Sequence, residues 1–473
     1  MEIIKKPFSS YDRSLYYFNK CGDLLVFSIG IIEGDELLIL KKDVFKKVAF
    51  FLMKRHPFLR ANILTDQEKN LFFNINAHLA DCDCEDDLLF FHLNSRDELQ
   101  SYLEEFTKKK LDYEKKLWRM IIFDFNENGK KKYGISFWLP LFITDGLNIT
   151  ALQIEIANIL NSLVSNTECK EMIVPLSVTE NMFEITNRKN LIGKDQLKNI
   201  EEINKIKTSK FKFDPIFKSE NERGCKIKFF NFTEIESNKL ISLSKQNGTR
   251  FTAFIMTCFY YSIQQLYKEN NLSDPVDIKF GVAANLRIRL DPILDFNNIG
   301  YFSCLVPINT VYPKFGKYEN FFDDAKYLDG IIQEFTSVES GAIFNESHNF
   351  SATSETNDMF EKTSNIQDFC SILSSNSTWD VVISNVGTYL NKYKHQNPKG
   401  SLLLKEIYFT DTQNSYPSID AAILIHLITW NNQLMFMISM GIVKKTQLQW
   451  SRPKTEPSAS PYRTKRTEKK IRK

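Results

Sequence analysis

Ser136-Phe137-Trp138-Leu139-Pro140-Leu141-Phe142-Ile143-Thr144-Asp145-Gly146 decides how the rest of this chain is read. Tyr133 to Leu139 is apolar on both alternating faces, the pattern of a strand buried on two sides. From Gly146 the period changes. Ile149, Leu152, Ile156, Ile159, Leu160 and Leu163 fall at helical spacing and predict a buried helix over Leu147 to Leu163. A strand, a tight loop and a helix start therefore meet at Asp145, whose carboxylate can cap the turn from Gly146 to Thr150. Pro140 and Leu141, in the loop, carry no group that titrates.

Working outward, residues 13 to 32 read as an apolar segment and a strand, and Lys42 to Arg55 as an amphipathic helix capped by Asp43 and ended by Pro57. Short strands are predicted at Leu59 to Ile63, Asn70 to Asn76, Leu88 to Leu93 and Trp118 to Asp124. The pattern weakens from Cys169 to Gly224, which has the composition of a connection. A second half follows, with a strand at Cys225 to Phe232 and helices at Glu234 to Gln246 and Thr252 to Lys268. Further strands are predicted at Val276 to Ala284, Phe302 to Thr310, Trp379 to Ser384, Leu402 to Phe409, Ala421 to Trp430 and Gln433 to Met440. The polar stretch from Ser340 to Asp368 reads as a mobile loop.

At 473 residues the chain exceeds one ordinary core, which sets a prior of about two to three domains. The formal charge of +3 hides an asymmetry, because Lys444 to Lys473 holds eleven Lys or Arg against two Glu, +9 in all, and leaves −6 for the rest. That tail is Pro-, Ser- and Lys/Arg-rich, cannot bury a face and should be disordered. It lacks the aromatic interleaving of a nucleic-acid surface. Eight scattered cysteines and a start, Met1 to Pro7, without an apolar leader point to reduced thiols in a cytoplasmic setting. The apolar runs Val48 to Met53 and Ala421 to Trp430 are too short to span a bilayer. No phosphate-cradling Gly-rich loop and no Gly-x-Ser-x-Gly occurs, so nucleotide hydrolysis and serine-hydrolase chemistry have no support.

Several segments, in order, resemble the condensation-domain and alcohol-acetyltransferase family. Arg55-His56-Pro57-Phe58-Leu59-Arg60 is similar to its "R-H-P-x-L-R" run, and Leu117-Trp118-Arg119 to its "P-L-W-R". Leu240 to Phe254, with Asn247-Gly248 between two helices, resembles the opening of its second half. Asn285-Leu286-Arg287 with Gly300-Tyr301-Phe302 resembles its "N-L-R" and "G-x-F" pair, and Ser384-Asn385-Val386-Gly387 its "S-N-x-G" strand. Asp145-Gly146 then corresponds to the end of His-His-x-x-x-Asp-Gly, and Pro140 and Leu141 stand where the histidines belong.

The resemblance implies an α/β fold of two chloramphenicol-acetyltransferase-like lobes that form a V with a tunnel between them. It divides the chain into a first lobe over 1–170, a connection over 171–224, a second lobe over 225–443 and the basic tail over 444–473. The tunnel would take an acyl thioester, on coenzyme A or a carrier protein, or a lipophilic ligand. Trp138, Pro140, Leu141, Gly300, Ser384 and Asn385 are its candidate lining. The second histidine of the family accepts a proton from a hydroxyl or amine acceptor, which leucine cannot do. The implied protein is catalytically impaired, or else moves an acyl group by positioning or with a different base. Asp145, in the family's pattern, pairs with an arginine of the second half, for which Arg287 is the candidate, and Gly146 opens the helix. No bound cofactor, no nucleic acid, no membrane span and a monomer are expected.

The six histidines are His56, His78, His92, His348, His395 and His426. His56 reads as a surface or capping residue and His426 as a satisfied core residue; His348, in the polar loop, is the candidate for a replacement base. His78, Cys82, Cys84 and His92 lie within fifteen residues. Their Cys-x-Cys spacing is not the usual zinc pattern, and the neighbouring acids Asp81, Asp83, Glu85, Asp86 and Asp87 read as a surface loop. Asn148-Ile149-Thr150 has the form of a glycosylation sequon, read here as a consequence of Asn-rich composition.

Overall fold

The computed structural model describes residues 3–22, 24–34, 40–76, 88–166, 174–182, 184–185, 224–269, 278–290, 292–310, 321–337, 379–388, 402–412 and 423–441. Nearly all of the 171–224 connection, the 340–368 loop and the 444–473 tail lie outside them, as do His78, Cys82, Cys84, His348 and His395.

The first half runs β1 (Ile3–Pro7), α1 (Ser10–Gly22), β2 (Leu25–Glu33), α2 (Lys42–Arg55), β3 (Ala61–Thr65), β4 (Leu71–Asn76), β5 (Leu88–His92), α3 (Arg96–Phe106), β6 (Arg119–Glu127), β7 (Lys130–Pro140) and α4 (Gly146–Val164). The second half runs β8 (Cys225–Asn231), α5 (Glu234–Gln246), α6 (Phe251–Glu269), β9 (Ile278–Asn285), β10 (Ser303–Thr310), α7 (Phe321–Thr336), β11 (Val381–Gly387), β12 (Leu403–Asp411), β13 (Ile423–Trp430) and β14 (Gln433–Gly441). This is a mixed α/β architecture. Among the described residues the strands form a small β1-β4-β3 sheet, a five-stranded sheet ordered β12-β2-β7-β6-β5 and a six-stranded sheet ordered β10-β9-β11-β13-β14-β8.

The order of the five-stranded sheet could not be read locally. Strand β12 belongs to the second half of the sequence, yet it pairs antiparallel with β2 at the edge of the five-stranded sheet. The division at residue 225 thus separates sequence and not sheets. Arg96 of α3 holds the crossing strand, donating from Nη1 to Oε1 of Glu406 at 2.7 Å, while Tyr408 donates to Oε2 of the same carboxylate at 2.6 Å. A second tie joins α3 to β8, where Glu104 accepts from the backbone N–H of Ile227 at 3.0 Å.

Strand β7 sits between β2 and β6 and is buried from Lys132 to Pro140, as its two-sided apolar pattern requires. Helix α4 is buried along fifteen of its nineteen residues. By length and composition it is apolar enough to cross a membrane, a possibility the shorter runs weighed from sequence did not raise; 83% of that window is covered by protein. A helix apolar on all sides is either such a span or a core element.

Other local readings shift. Helix α2 has Lys41 at its N-cap with no side-chain bond, and Asp43 stands inside its first turn, where a carboxylate favours the helix dipole without capping it. Pro57 opens a single 3-10 turn, Pro57–Arg60, so the strand predicted from Leu59 starts at Ala61. Residues 10–22 form a helix where an apolar segment was predicted. Helices α3 and α7 and strand β1 had no counterpart in the sequence reading.

Candidate functional site

The loop after β7 is built by three successive constraints. Pro140 ends the strand at φ −68°, and Leu141–Ile143 then makes one 3-10 turn. The N–H of Leu141 donates to the Leu24 carbonyl at 3.1 Å and to Oδ1 of Asn19 at 2.7 Å, so α1 and the start of β2 fix the backbone here. Asp145 is extended and caps α4. Its Oδ1 accepts from the N–H groups of Leu147 and Asn148, each at 3.1 Å, and Asn148 Oδ1 returns a bond to the Asp145 N–H at 3.4 Å. That reciprocal box is worth on the order of 1 kcal/mol and satisfies amides that a helix start would otherwise leave open.

The other carboxylate oxygen faces the second half. Oδ2 of Asp145 accepts from Nη1 of Arg287 and from the N–H of Phe302 at 3.0 Å. Nη2 of Arg287 donates to the Gly300 carbonyl at 2.9 Å, and Nδ2 of Asn148 donates to that same carbonyl at 2.7 Å. The guanidinium lies over the Phe302 ring, 4.6 Å from its centroid. Both readings of Asp145 thus hold together: cap through one oxygen, interlobe ion pair through the other. A carboxylate with four donors is fully compensated for its burial.

Glycine is required at 146. A Cβ there would lie 2.5 Å from Cε2 of Phe409, so α4 and the crossing strand β12 approach more closely than any side chain permits. The sequon at Asn148 is closed to modification, since its amide is buried and committed to Gly300.

The candidate lining residues do not behave alike. Leu141 is half-buried and packs against the first core, and Pro140 is buried. Trp138 is a correction: it is 0% exposed and stacks on Phe27 with ring centroids 3.9 Å apart, so it fills the core and lines no open surface. The carbonyl of Gly300 belongs to the Asp145 clamp. Ser384 is half-buried on β11 beside His426 of β13. Asn385 donates to the Thr252 hydroxyl at 3.1 Å, tying the end of β11 to the first turn of α6.

The described histidines each have other work. His56 caps the end of α2, its N–H donating to the Leu52 carbonyl, but it is buried rather than at the surface, 1% exposed, with Nε2 2.8 Å from Oε2 of Glu155; Arg55 Nε reaches Oε1 at 3.3 Å. His92 is exposed and bonds Asp124 at 3.0 Å. His426 is buried, with Nδ1 3.0 Å from the Thr410 hydroxyl, and burial lowers its pKa to about 3. Among the described residues no cluster of His, Cys, Asp or Glu fits a metal.

Sequence reasoning gave no role to Asn148, Phe302, Phe409 or Tyr301. Asn148 carries a signal in the Asp-x-x-Asn spacing of a capping box, and Phe302 one in the Gly-x-Phe segment. Burial pushes the Tyr301 phenol well up, against a bond from Ser303 that lowers it, with Cys304, Asp411 and Asp145 adding to the rise. Tyr11 of α1 is raised likewise by burial and then by Tyr301.

The sequence profile of the family described as alcohol acetyltransferase matches residues 93–452. No curated protein matches this chain by sequence. Solved structures do match by shape. Polyketide synthase associated protein 5 from Mycobacterium tuberculosis superposes with a TM-score of 0.63 at 11% identity, over 93% of this chain and 95% of that one. Trichothecene 15-O-acetyltransferase from Fusarium sporotrichioides gives 0.63 at 13% identity, over 93% and 90%. The condensation domain of the Monacolin K polyketide synthase gives 0.58 at 10% identity, over 94% of each chain. At such identities the likeness establishes the fold, that of condensation domains and related acyltransferases.

Proposed function

Since this chain belongs to the alcohol acetyltransferase family, we propose that it binds an acyl thioester, carried on coenzyme A, in the family's tunnel beside the Asp145 loop, and transfers the acyl group poorly or not at all. The observation that carries this reading is a contrast within five residues. Asp145 keeps its whole clamp, with Arg287, Phe302 and Asn148 in place, while position 141 holds an alkyl side chain. A clamp of this kind arranges a loop; it accepts no proton. An attacking hydroxyl must lose its proton as it adds to the thioester carbonyl, and a positioned base is worth about 10² to 10⁴ in rate. Leucine contributes none of that, so what the site retains is binding and orientation.

The test is to incubate the protein with a panel of acyl-coenzyme A thioesters and mixed alcohols or amines, beside Leu141→His. Thermal stabilisation by a thioester without turnover supports the reading, since a ligand at 100 times its Kd adds about 2.7 kcal/mol. Turnover by the unsubstituted chain at rates comparable to Leu141→His overturns the impaired part and favours transfer by positioning or by another base. Absence of any stabilisation across the panel overturns the binding part.

A further inference from the structure

The cations of the folded chain gather at one corner, where α3 ends beside β8 and β14. Helix α3 stops at Phe106, and Lys108, Lys109 and Lys110 follow it, all exposed, with Lys115 and Lys116 a few residues further on. Arg119 fixes this turn by donating to the Lys109 and Lys110 carbonyls at 3.2 and 2.9 Å. Strand β8 is tied to the same place: the Thr107 hydroxyl accepts from the Cys225 N–H at 3.2 Å, and Lys226 reaches the Glu104 carboxylate at 2.6 Å. Lys228, also on β8, is exposed. Strand β14 ends at Gly441, paired with Cys225, and from there the sequence runs on into Lys444 to Lys473 with its +9. Glu104, Glu105, Asp112 and Glu114 are the acids among these seven lysines and Arg119, and they pair with Lys226, Lys108 and Lys115 in part. The chain outside the tail carries −6, so the excess of positive charge is local to this corner.

The same strand exposes apolar side chains next to its cations. Strand alternation puts Lys226, Lys228 and Phe230 on one face of β8, and Phe230 is 38% exposed. Five residues on, at the start of α5, Ile235 is 82% exposed. Lysines beside single exposed apolar side chains suit the surface of a bilayer. The ammonium groups meet anionic headgroups, and Phe and Ile enter the boundary between headgroups and acyl chains. A nucleic acid would satisfy the lysines and leave Ile235 in water.

We infer that this corner, together with the basic tail that leaves it, docks the protein on an anionic lipid surface. The inference goes beyond the acyl-thioester reading and does not depend on it. Several weak contacts act together here: each lysine held near an anionic leaflet adds about fivefold in affinity, and a disordered tail of the same sign anchored at the same point adds to the total without a fixed geometry.

Sedimentation of the full chain with vesicles of phosphatidylcholine mixed with phosphatidylserine, and with vesicles of phosphatidylcholine alone, tests this. The protein should sediment with the anionic vesicles, come off as salt is raised, and stay in solution with the neutral ones. Lys228→Glu should weaken binding by at least about fivefold, and Ile235→Ser by roughly threefold. Both side chains are exposed, and thermal midpoints equal to that of the parent confirm that each variant folds. Failure to sediment with the anionic vesicles, or equal sedimentation with both kinds, overturns the inference. So does binding that neither substitution changes, since the tail would then act without the folded corner. Duplex DNA that strips the protein from the vesicles, with a DNA affinity unaltered by Ile235→Ser and vesicle binding equally unaltered, would overturn it in favour of a nucleic-acid surface.

Discussion

Arg287 donates to the carboxylate of Asp145 from 142 residues along the chain, and the two side chains are 1% and 4% exposed. The pair joins the helix that leaves β7 to the segment that links β9 and β10, and so adds a charged contact between the two halves to the pairing of β12 with β2. A buried pair is weak support for stability as long as both partners are present, because desolvation offsets attraction. Its removal is another matter.

Truncating Arg287 to Ala should destabilise the protein by about 3–5 kcal/mol, since the Asp145 charge stays buried with one partner fewer. Asp145→Asn combined with Arg287→Met should cost clearly less than the two single changes added together. Urea unfolding of the four proteins measures the coupling. Strict additivity would show that the two groups do not sense each other.

Gly146→Ala puts a methyl group 2.5 Å from the Phe409 ring and should cost about 1–3 kcal/mol through displacement of α4 from β12. Phe409→Leu in the same chain should recover part of that loss. Thermal midpoints of the single and double variants decide it; an unaffected Gly146→Ala midpoint would mean that the ring simply turns aside.

His426 titrates near pH 3 in the fold and near 6.5 when unfolded, because burial disfavours the imidazolium. Between those values the unfolded chain holds the extra proton, so stability from this residue is complete above about pH 6.5 and lost as the pH falls toward 3. The span is worth up to about 5 kcal/mol. His426→Gln, which keeps a polar group opposite Thr410 without a titration, should flatten the acid limb of stability against pH. A limb as steep as that of the parent would show that the imidazole charges freely in place.

Glu155 gives a second acid dependence, of the carboxylate kind. Burial pushes its carboxyl up, but His56 and then Arg55 outweigh this and hold it below the usual range. Its stabilisation is present above the ordinary carboxylate range and disappears as the pH drops through the lowered value. His56→Ala should destabilise by about 3 kcal/mol near neutral pH, and adding Glu155→Leu should restore part of it by removing a buried carboxylate left with Arg55 alone. Chemical denaturation at neutral and at acid pH would reveal either outcome.

The legible parts of this molecule are those whose cause is local. The two-sided apolar run of β7 and the helical stripe of α4 set their elements to within three residues, and with them the cap at Asp145. Helix α3 carries the same kind of local signal, since Leu99, Leu103 and Phe106 share one face among its charges. Arg287 came into view through family resemblance alone, for nothing in Asn285-Leu286-Arg287 points to a carboxylate 142 residues away.

Periodicity, capping chemistry and the identity of residues 140 and 141 were settled by the order of amino acids, because each depends on neighbours within one or two turns. The folded chain alone decided that β12 crosses to the first sheet, that Trp138 and His56 turn inward, and that Gly300 to Phe302 closes over Asp145. Those outcomes are contacts between segments about a hundred residues apart or more. Their energy comes from packing and desolvation at a shared surface, and that surface exists only once the distant segments have come together.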